Sequence, residues 1–138
     1  MFDTFTISMK TIEVVAAIVT IDDKILCVQR GDNKYDYIAF KWEFPGGKVE
    51  AGETKEEALA REIKEELKIN IRIDNEFLTV EHSYPDFVLV MHSFLCTTDT
   101  QDVHLTEHIE ARWLSKDTLH RLDWAAADIP IVNKLQTE

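Results

Sequence analysis

The sequence predicts a single α/β domain with a mixed sheet between helices, and three observations carry that prediction. The run Ile12 to Thr20 (IEVVAAIVT) is β-branched and apolar almost throughout, as suits a buried central strand. Strand-like segments precede and follow a helix-forming stretch in mid-chain, and a second helical segment closes the sequence, an order consistent with layered sheet and helices. Finally, 138 residues with 45% apolar and 30% charged side chains match one ordinary globular domain.

Residues 1–10 show no periodicity and read as an N-terminal extension, with residues 11–138 forming the domain. After the first strand, Ile21 to Lys24 is a turn, and Ile25 to Gln29 returns as a hairpin partner. Arg30 closes that strand and opens the loop Gly31 to Lys41, and the segment Phe40 to Phe44 leads into Pro45-Gly46-Gly47. Thr54 followed by Glu57 is a capping box that starts a helix near Lys55. Leu59, Ile63 and Leu67 then form its inward stripe. Ile69 to Glu81 and Asp86 to Thr97 are long strands about a turn at Tyr84-Pro85-Asp86, and Thr98 to Val103 is a polar loop. Ile109 to Leu114 is a short strand, and Ser115 is a good N-cap for a helix through Leu122. Ala125 to Leu135 is a last amphipathic helix, with Pro130 in its first turn or at a kink. Cys27 and Cys96 lie in apolar strand-like runs, which predicts buried free thiols.

The net charge of −11 argues against backbone-driven binding to DNA or RNA, which needs a basic surface. No apolar run approaches a membrane span, and the N-terminus lacks the regions of a signal peptide, so a cytoplasmic protein is expected. A small phosphorylated substrate stays open to an acidic protein if metal ions stand between the two sets of negative charge.

The stretch Gly46 to Ile69 (GGKVEAGETKEEALAREIKEELKI) holds seven glutamates between Glu50 and Glu66. Glu62, Glu65 and Glu66 stand at i, i+3 and i+4, so their carboxylates share one patch of helix surface and repel unless neutralised. A hard divalent cation would neutralise them. A glutamate cluster alone is more often a solvated face, but the full spacing is specific. Gly47, five residues, Glu53, seven residues, then Arg61-Glu62-Ile63-Lys64-Glu65-Glu66 closely resembles the signature of the Nudix hydrolases. One position departs: Lys68 stands where the family has a glycine that stops the helix in left-handed geometry, and Asn70 is a candidate to take that conformation over.

The IEVVAAIV, WEFPGGKVE and WAAADIPIV segments extend the resemblance over nearly the whole chain, to the MutT-type branch. That branch includes enzymes of oxidised-purine nucleotides and relatives acting on pyrimidine nucleotides. The resemblance implies the Nudix α/β/α sandwich, a mixed sheet beside the loop–helix–loop of the signature. It also implies hydrolysis of nucleoside triphosphates to monophosphate and pyrophosphate by water attack at the β phosphorus, in nucleotide-pool sanitation. The cofactor implied is Mg²⁺, with Mn²⁺ as a substitute. The partner implied is a small nucleotide, with no nucleic acid or membrane bound by a monomer or homodimer.

Carried over by position, the Gly47 carbonyl and the carboxylates of Glu62, Glu65 and Glu66 are the expected metal ligands, with Glu53 joining through a water. Arg61 would brace the glutamates as a planar donor. Glu107 matches an extra acidic loop residue used as ligand or base; an ordinary exposed glutamate is the equal alternative. Arg30 matches a residue reaching nucleotide oxygens, Lys48 is placed to meet a phosphate, and Phe44 matches an aromatic of the base pocket. Asp128 matches the residue that bonds the base edge; otherwise it is a favourable charge at a helix N-terminus. An ionised carboxylate only accepts hydrogen bonds, so Asp128 favours a donor-rich edge such as the cytosine amine, unless it is itself protonated. Phe87 stands where an oxidised-guanine enzyme has arginine. The general base is Glu62 or Glu107. Hydrolysis of another nucleoside diphosphate derivative and non-catalytic nucleotide sensing are the alternatives.

Overall fold

The computed structural model describes residues 9–138, so most of the proposed extension (residues 1–8) lies outside the described residues. Among the described residues, seven strands form one mixed sheet. The first, β1 (Thr11–Ile21), is buried on both faces over residues 15–19, as its unbroken apolar run demands. β2 (Lys24–Arg30) returns antiparallel through a two-residue turn in which Asp22 and Asp23 have φ of 50° and 62°, the left-handed pair that a tight hairpin requires. β3 (Trp42–Glu43) pairs with β2, and β4 (Gly46–Lys48) pairs with β1. β5 (Arg72–Ser83) and β6 (Val88–Thr97) form a long antiparallel pair, and β6 lies parallel to β1. β7 (His108–Leu114) covers the other edge of β2.

The two faces carry separate cores. Helix α1 (Lys55–Leu67) lays Ala58, Leu59, Ile63 and Leu67 on Val15, Ala17, Val19, Leu26 and Val28. The opposite face, with Ala16, Ile18 and Cys27, packs on Leu119, Trp124 and helix α2 (Ile129–Thr137). The result is the α/β/α sandwich. Cys27 and Cys96 are free and buried, and burial pushes both thiols up to about 12. No helix among the described residues is long and apolar enough to cross a membrane.

The capping box is present in both directions: the Glu57 N–H donates to Thr54 Oγ1 at 3.0 Å and the Thr54 N–H to Glu57 Oε1 at 2.9 Å. Four expectations need correction. Lys68 itself, not Asn70, adopts the left-handed stop (φ 60°), because its N–H must bond Lys64 O where the helix ends. The segment after Ser115 is a 3₁₀ turn (Lys116–Arg121), and the Ser115 hydroxyl donates to Asp117 Oδ1 at 2.7 Å instead of capping the backbone. The last helix is split into a 3₁₀ turn (Ala126–Asp128) and α2, with Pro130 in the first turn of α2, where its missing N–H costs nothing. The strands about the Tyr84 turn begin later than expected, at Arg72 and Val88; at the second, the Tyr84 N–H bonds Phe87 O and keeps residues 84–87 in the turn.

Candidate active site

Close backbone approach builds the centre of the site. β4 pairs Gly46 with Ala16 and Gly47 with Val15, and a Cβ on Gly46 would overlap the Val15 carbonyl. A Cβ on Gly47 would overlap the Glu62 carboxylate, so the diglycine lets strand, loop and helix meet.

Arg61 organises the acidic side. Its Nε donates to Glu53 Oε2 at 2.6 Å and its Nη2 to Glu53 Oε1 at 2.9 Å, a bidentate fork. Its Nη1 reaches Glu62 Oε1 at 2.8 Å and Glu65 Oε1 at 3.2 Å, and Nη2 also donates to the Lys48 carbonyl at 3.1 Å. The Glu53 hydrogen bond, more than any other contact, raises the Arg61 pKa, and Arg61 in turn holds Glu53 below the usual carboxylate range. Both Glu53 oxygens are thus engaged by Arg61, while the Glu65 side chain stays 61% exposed.

Glu66 is different. Its Oε1 is buried without a hydrogen-bond partner, and its pKa is pushed up to about 9, by burial first and then by Glu62, Glu43 and Glu107. Glu107 comes close because its loop is tied to the end of α1: His104 N–H donates to Leu67 O at 3.0 Å and Thr106 Oγ1 to Glu66 O at 3.1 Å. Among the described residues, no three acidic, histidine or cysteine side chains are gathered closely enough to cage an ion as they stand. The donor chemistry nevertheless fits a hard cation: an orphaned carboxylate oxygen among mutually repelling carboxylates, with Arg61 serving Glu53, Glu62 and Glu65 but not Glu66.

Beside this cluster a cavity of about 670 Å³ opens, lined by Arg30, Phe44, Gly47, Lys48, Phe87 and Asp128 among others. Glu53, Arg61, Glu62, Glu65, Glu66 and Glu107 do not line it; Gly47 and Lys48 join the two groups. Phe44 is buried against Trp124, with ring centroids 4.7 Å apart. Asp128, only 4% exposed, makes no side-chain cap to α2; its Oδ1 accepts the Phe44 N–H at 3.0 Å. Burial, then the charge of Glu43, raises the Asp128 pKa well above the ordinary aspartate range, against the opposing Phe44 N–H and Arg30. Its carboxyl therefore keeps a proton to higher pH than a free aspartate and can then donate as well as accept.

Two functional groups escaped the sequence reading. Glu43 bridges Arg30 Nε at 3.0 Å and His108 Nε2 at 2.9 Å. Burial raises its pKa, but His108 and Arg30 outweigh that and keep it below its usual value. The alternation of Lys41 and Glu43 with the aromatics of the FKWEF segment was the available signal. Tyr35 and Tyr84 join Phe87 in an aromatic wall of the cavity, with centroid separations of 5.8 Å and 5.2 Å to its ring. Nothing local in the sequence indicates that wall.

The NUDIX domain family profile matches residues 10–135. The chain is 35% identical over 124 residues to the CTP pyrophosphohydrolase of Escherichia coli (strain K12), covering 90% of each. It is 33% identical over 100 residues to the 8-oxo-dGTP diphosphatase of the same organism, covering 72% of this chain and 78% of that one. The crystal structure of the MutT protein from Methanosarcina mazei Go1 superposes with a TM-score of 0.85 at 25% identity, covering 96% and 97% of the two chains. The solution NMR structure of MutT from methicillin-resistant Staphylococcus aureus 252 does so at 0.73 with 43% identity, covering 94% and 98%. Fold, signature spacing and a profile match over nearly the whole chain agree: this protein belongs to the Nudix hydrolases.

Proposed function

We propose that the protein is a metal-dependent nucleoside triphosphate pyrophosphohydrolase, releasing monophosphate and pyrophosphate from nucleotides with intact or oxidised bases in pool sanitation. The observation that carries this reading is the position of Gly47, which lines the cavity on one side and abuts the Glu62 carboxylate on the other. A nucleotide bound in the cavity would lead its phosphates over Gly47 and Lys48 to the glutamates. The relatives named for CTP and for 8-oxo-dGTP support the substrate class.

In this reading the Gly47 carbonyl with Glu62, Glu65, Glu66 and Glu107 would hold Mg²⁺, and Mn²⁺ would substitute. When bound, the metal neutralises phosphate charge and acidifies water. The chain's own residues do the rest. Arg61 keeps Glu53, Glu62 and Glu65 braced, Lys48 meets a phosphate, and Arg30, held by Glu43, reaches nucleotide oxygens. Phe44, Phe87 and Asp128 receive the base. Glu62 or Glu107 takes a proton from the water that attacks the β phosphorus. The bond from that phosphorus to the bridging oxygen breaks, that oxygen leaves with the monophosphate, and pyrophosphate carries the new oxygen.

The test is hydrolysis of CTP, dCTP, hydroxylated dCTP, dGTP and 8-oxo-dGTP with Mg²⁺, following monophosphate and pyrophosphate separately against a chelator control. Turnover of at least one member, lost with chelator, is expected. No turnover by a folded protein would turn the assignment to a non-nucleotide diphosphate or a sensor.

A further inference from the structure

We propose that Tyr84 is a positioning residue for base recognition, acting through its hydroxyl on the turn that carries Asp128; this rests on the nucleotide reading above.

The 3₁₀ turn Ala126–Asp128 begins with N–H groups that have no partner inside the turn, as any helical start does. Ala125, its N-cap, has no side-chain acceptor. The Ala125 N–H donates to Trp42 O at 2.9 Å and the Asp128 N–H to Ala125 O at 2.9 Å. The Ala127 N–H, on a residue 1% exposed, is accepted by Tyr84 Oη at 3.0 Å, from a strand connection 43 residues away. Tyr84 thus supplies from a distance the cap that the local sequence lacks.

Tyr84 is suited to that task because its own position is held from several sides. Its N–H donates to Phe87 O at 2.9 Å, closing the β5–β6 turn. Its ring stacks on Tyr37 with centroids 5.1 Å apart and meets Phe87 at 5.2 Å and the edge of His82 at 4.5 Å. Asp128 is consequently tethered twice: its backbone follows the turn pinned by Tyr84, and its Oδ1 accepts the Phe44 N–H. What remains for a base is the other carboxyl oxygen, at an angle that both tethers define. Loss of the Tyr84 hydroxyl would leave a buried N–H unsatisfied and release the turn, while the ring and its stacking stay.

The experiment is a double-mutant cycle with Tyr84→Phe and Asp128→Ala, measuring KM and kcat on the best nucleotide of the panel. Phenylalanine keeps the buried ring, so the fold is retained. Tyr84→Phe is expected to raise KM about tenfold, the fold-change of one misplaced hydrogen bond to the base edge, with kcat within about twofold. In the Asp128→Ala background it should change KM by less than about twofold, since the group it positions is gone. Tyr37→Phe, which removes only the 2.7 Å bond from Tyr37 Oη to Asp86 Oδ2, should keep the wild-type KM. A wild-type KM in Tyr84→Phe, effects that multiply in the double mutant, or an equal rise in Tyr37→Phe would each overturn the assignment while leaving the nucleotide reading intact. A wild-type protein that turns over no nucleotide overturns both.

Discussion

Asp128, buried with its Oδ1 on the Phe44 N–H and Glu43 nearby, carries the base-edge chemistry of the proposed site. As an ordinary aspartate it is acceptor-only and selects donor-rich bases. In its buried setting the folded pKa is raised, so the protonated form persists upward in pH and the acceptor-only form appears only as pH rises through that raised value. The KM ratio of dCTP to 8-oxo-dGTP is therefore expected to fall with rising pH, as the cytosine amine gains an ionised acceptor. Asp128→Asn should flatten that dependence, and steady-state kinetics between about pH 5 and 8 check both. Glu62 is the other residue on which the proposed mechanism turns. Glu62→Gln should lower kcat at least about 100-fold, as loss of a general base or ligand does, with the fold retained. If Glu107→Gln instead gives the larger loss, the base lies in the loop; a Glu62→Gln enzyme keeping most of its activity would sink the proposed mechanism.

At the scale of the element, helix α1 is well started and poorly ended. The reciprocal Thr54–Glu57 cap is what its sequence specifies, whereas Lys68 occupies left-handed geometry at a cost of roughly 1 kcal/mol. Lys68→Gly is expected to stabilise the protein by about 0.5–1 kcal/mol in urea denaturation, since relief of that geometry outweighs the added freedom of the unfolded chain. The same helix carries a destabilising charge. Burial and then the neighbouring carboxylates push the folded Glu66 pKa up to about 9 from 4.5, so the folded state holds the extra proton between those limits. Stability of the metal-free protein is therefore present below the lower value and lost as pH rises toward the upper one. Glu66→Gln should raise the metal-free melting temperature at pH 8 and remove part of that pH slope. Added Mg²⁺ should stabilise the wild type more than this variant, and thermal melts with and without chelator measure both effects.

For the whole molecule, the sheet divides the labour. One face of β1 packs on the glutamate helix, the other faces α2 and the cavity, and β4 lies alongside it with Gly47 at the joint. Much of this was legible because it is local or periodic. The apolar run of β1, the capping box and the spacing from Gly47 to Glu66 each specify structure through neighbours a few residues apart. The split of the last helix was not legible, because its turn is held by Trp42 and Tyr84 rather than by its own residues. Nor was the Arg30–Glu43–His108 bridge, whose members are spread over nearly 80 positions of the chain. By itself the sequence determined the central strand β1, the capped start of α1 and the acidic helix face, since those follow from short-range sterics and periodicity. Only the tertiary structure decided which glutamate oxygen is left unpartnered, which way Asp128 faces and how far its proton is held. Those depend on burial and on donors brought together from distant segments, and no local pattern encodes them.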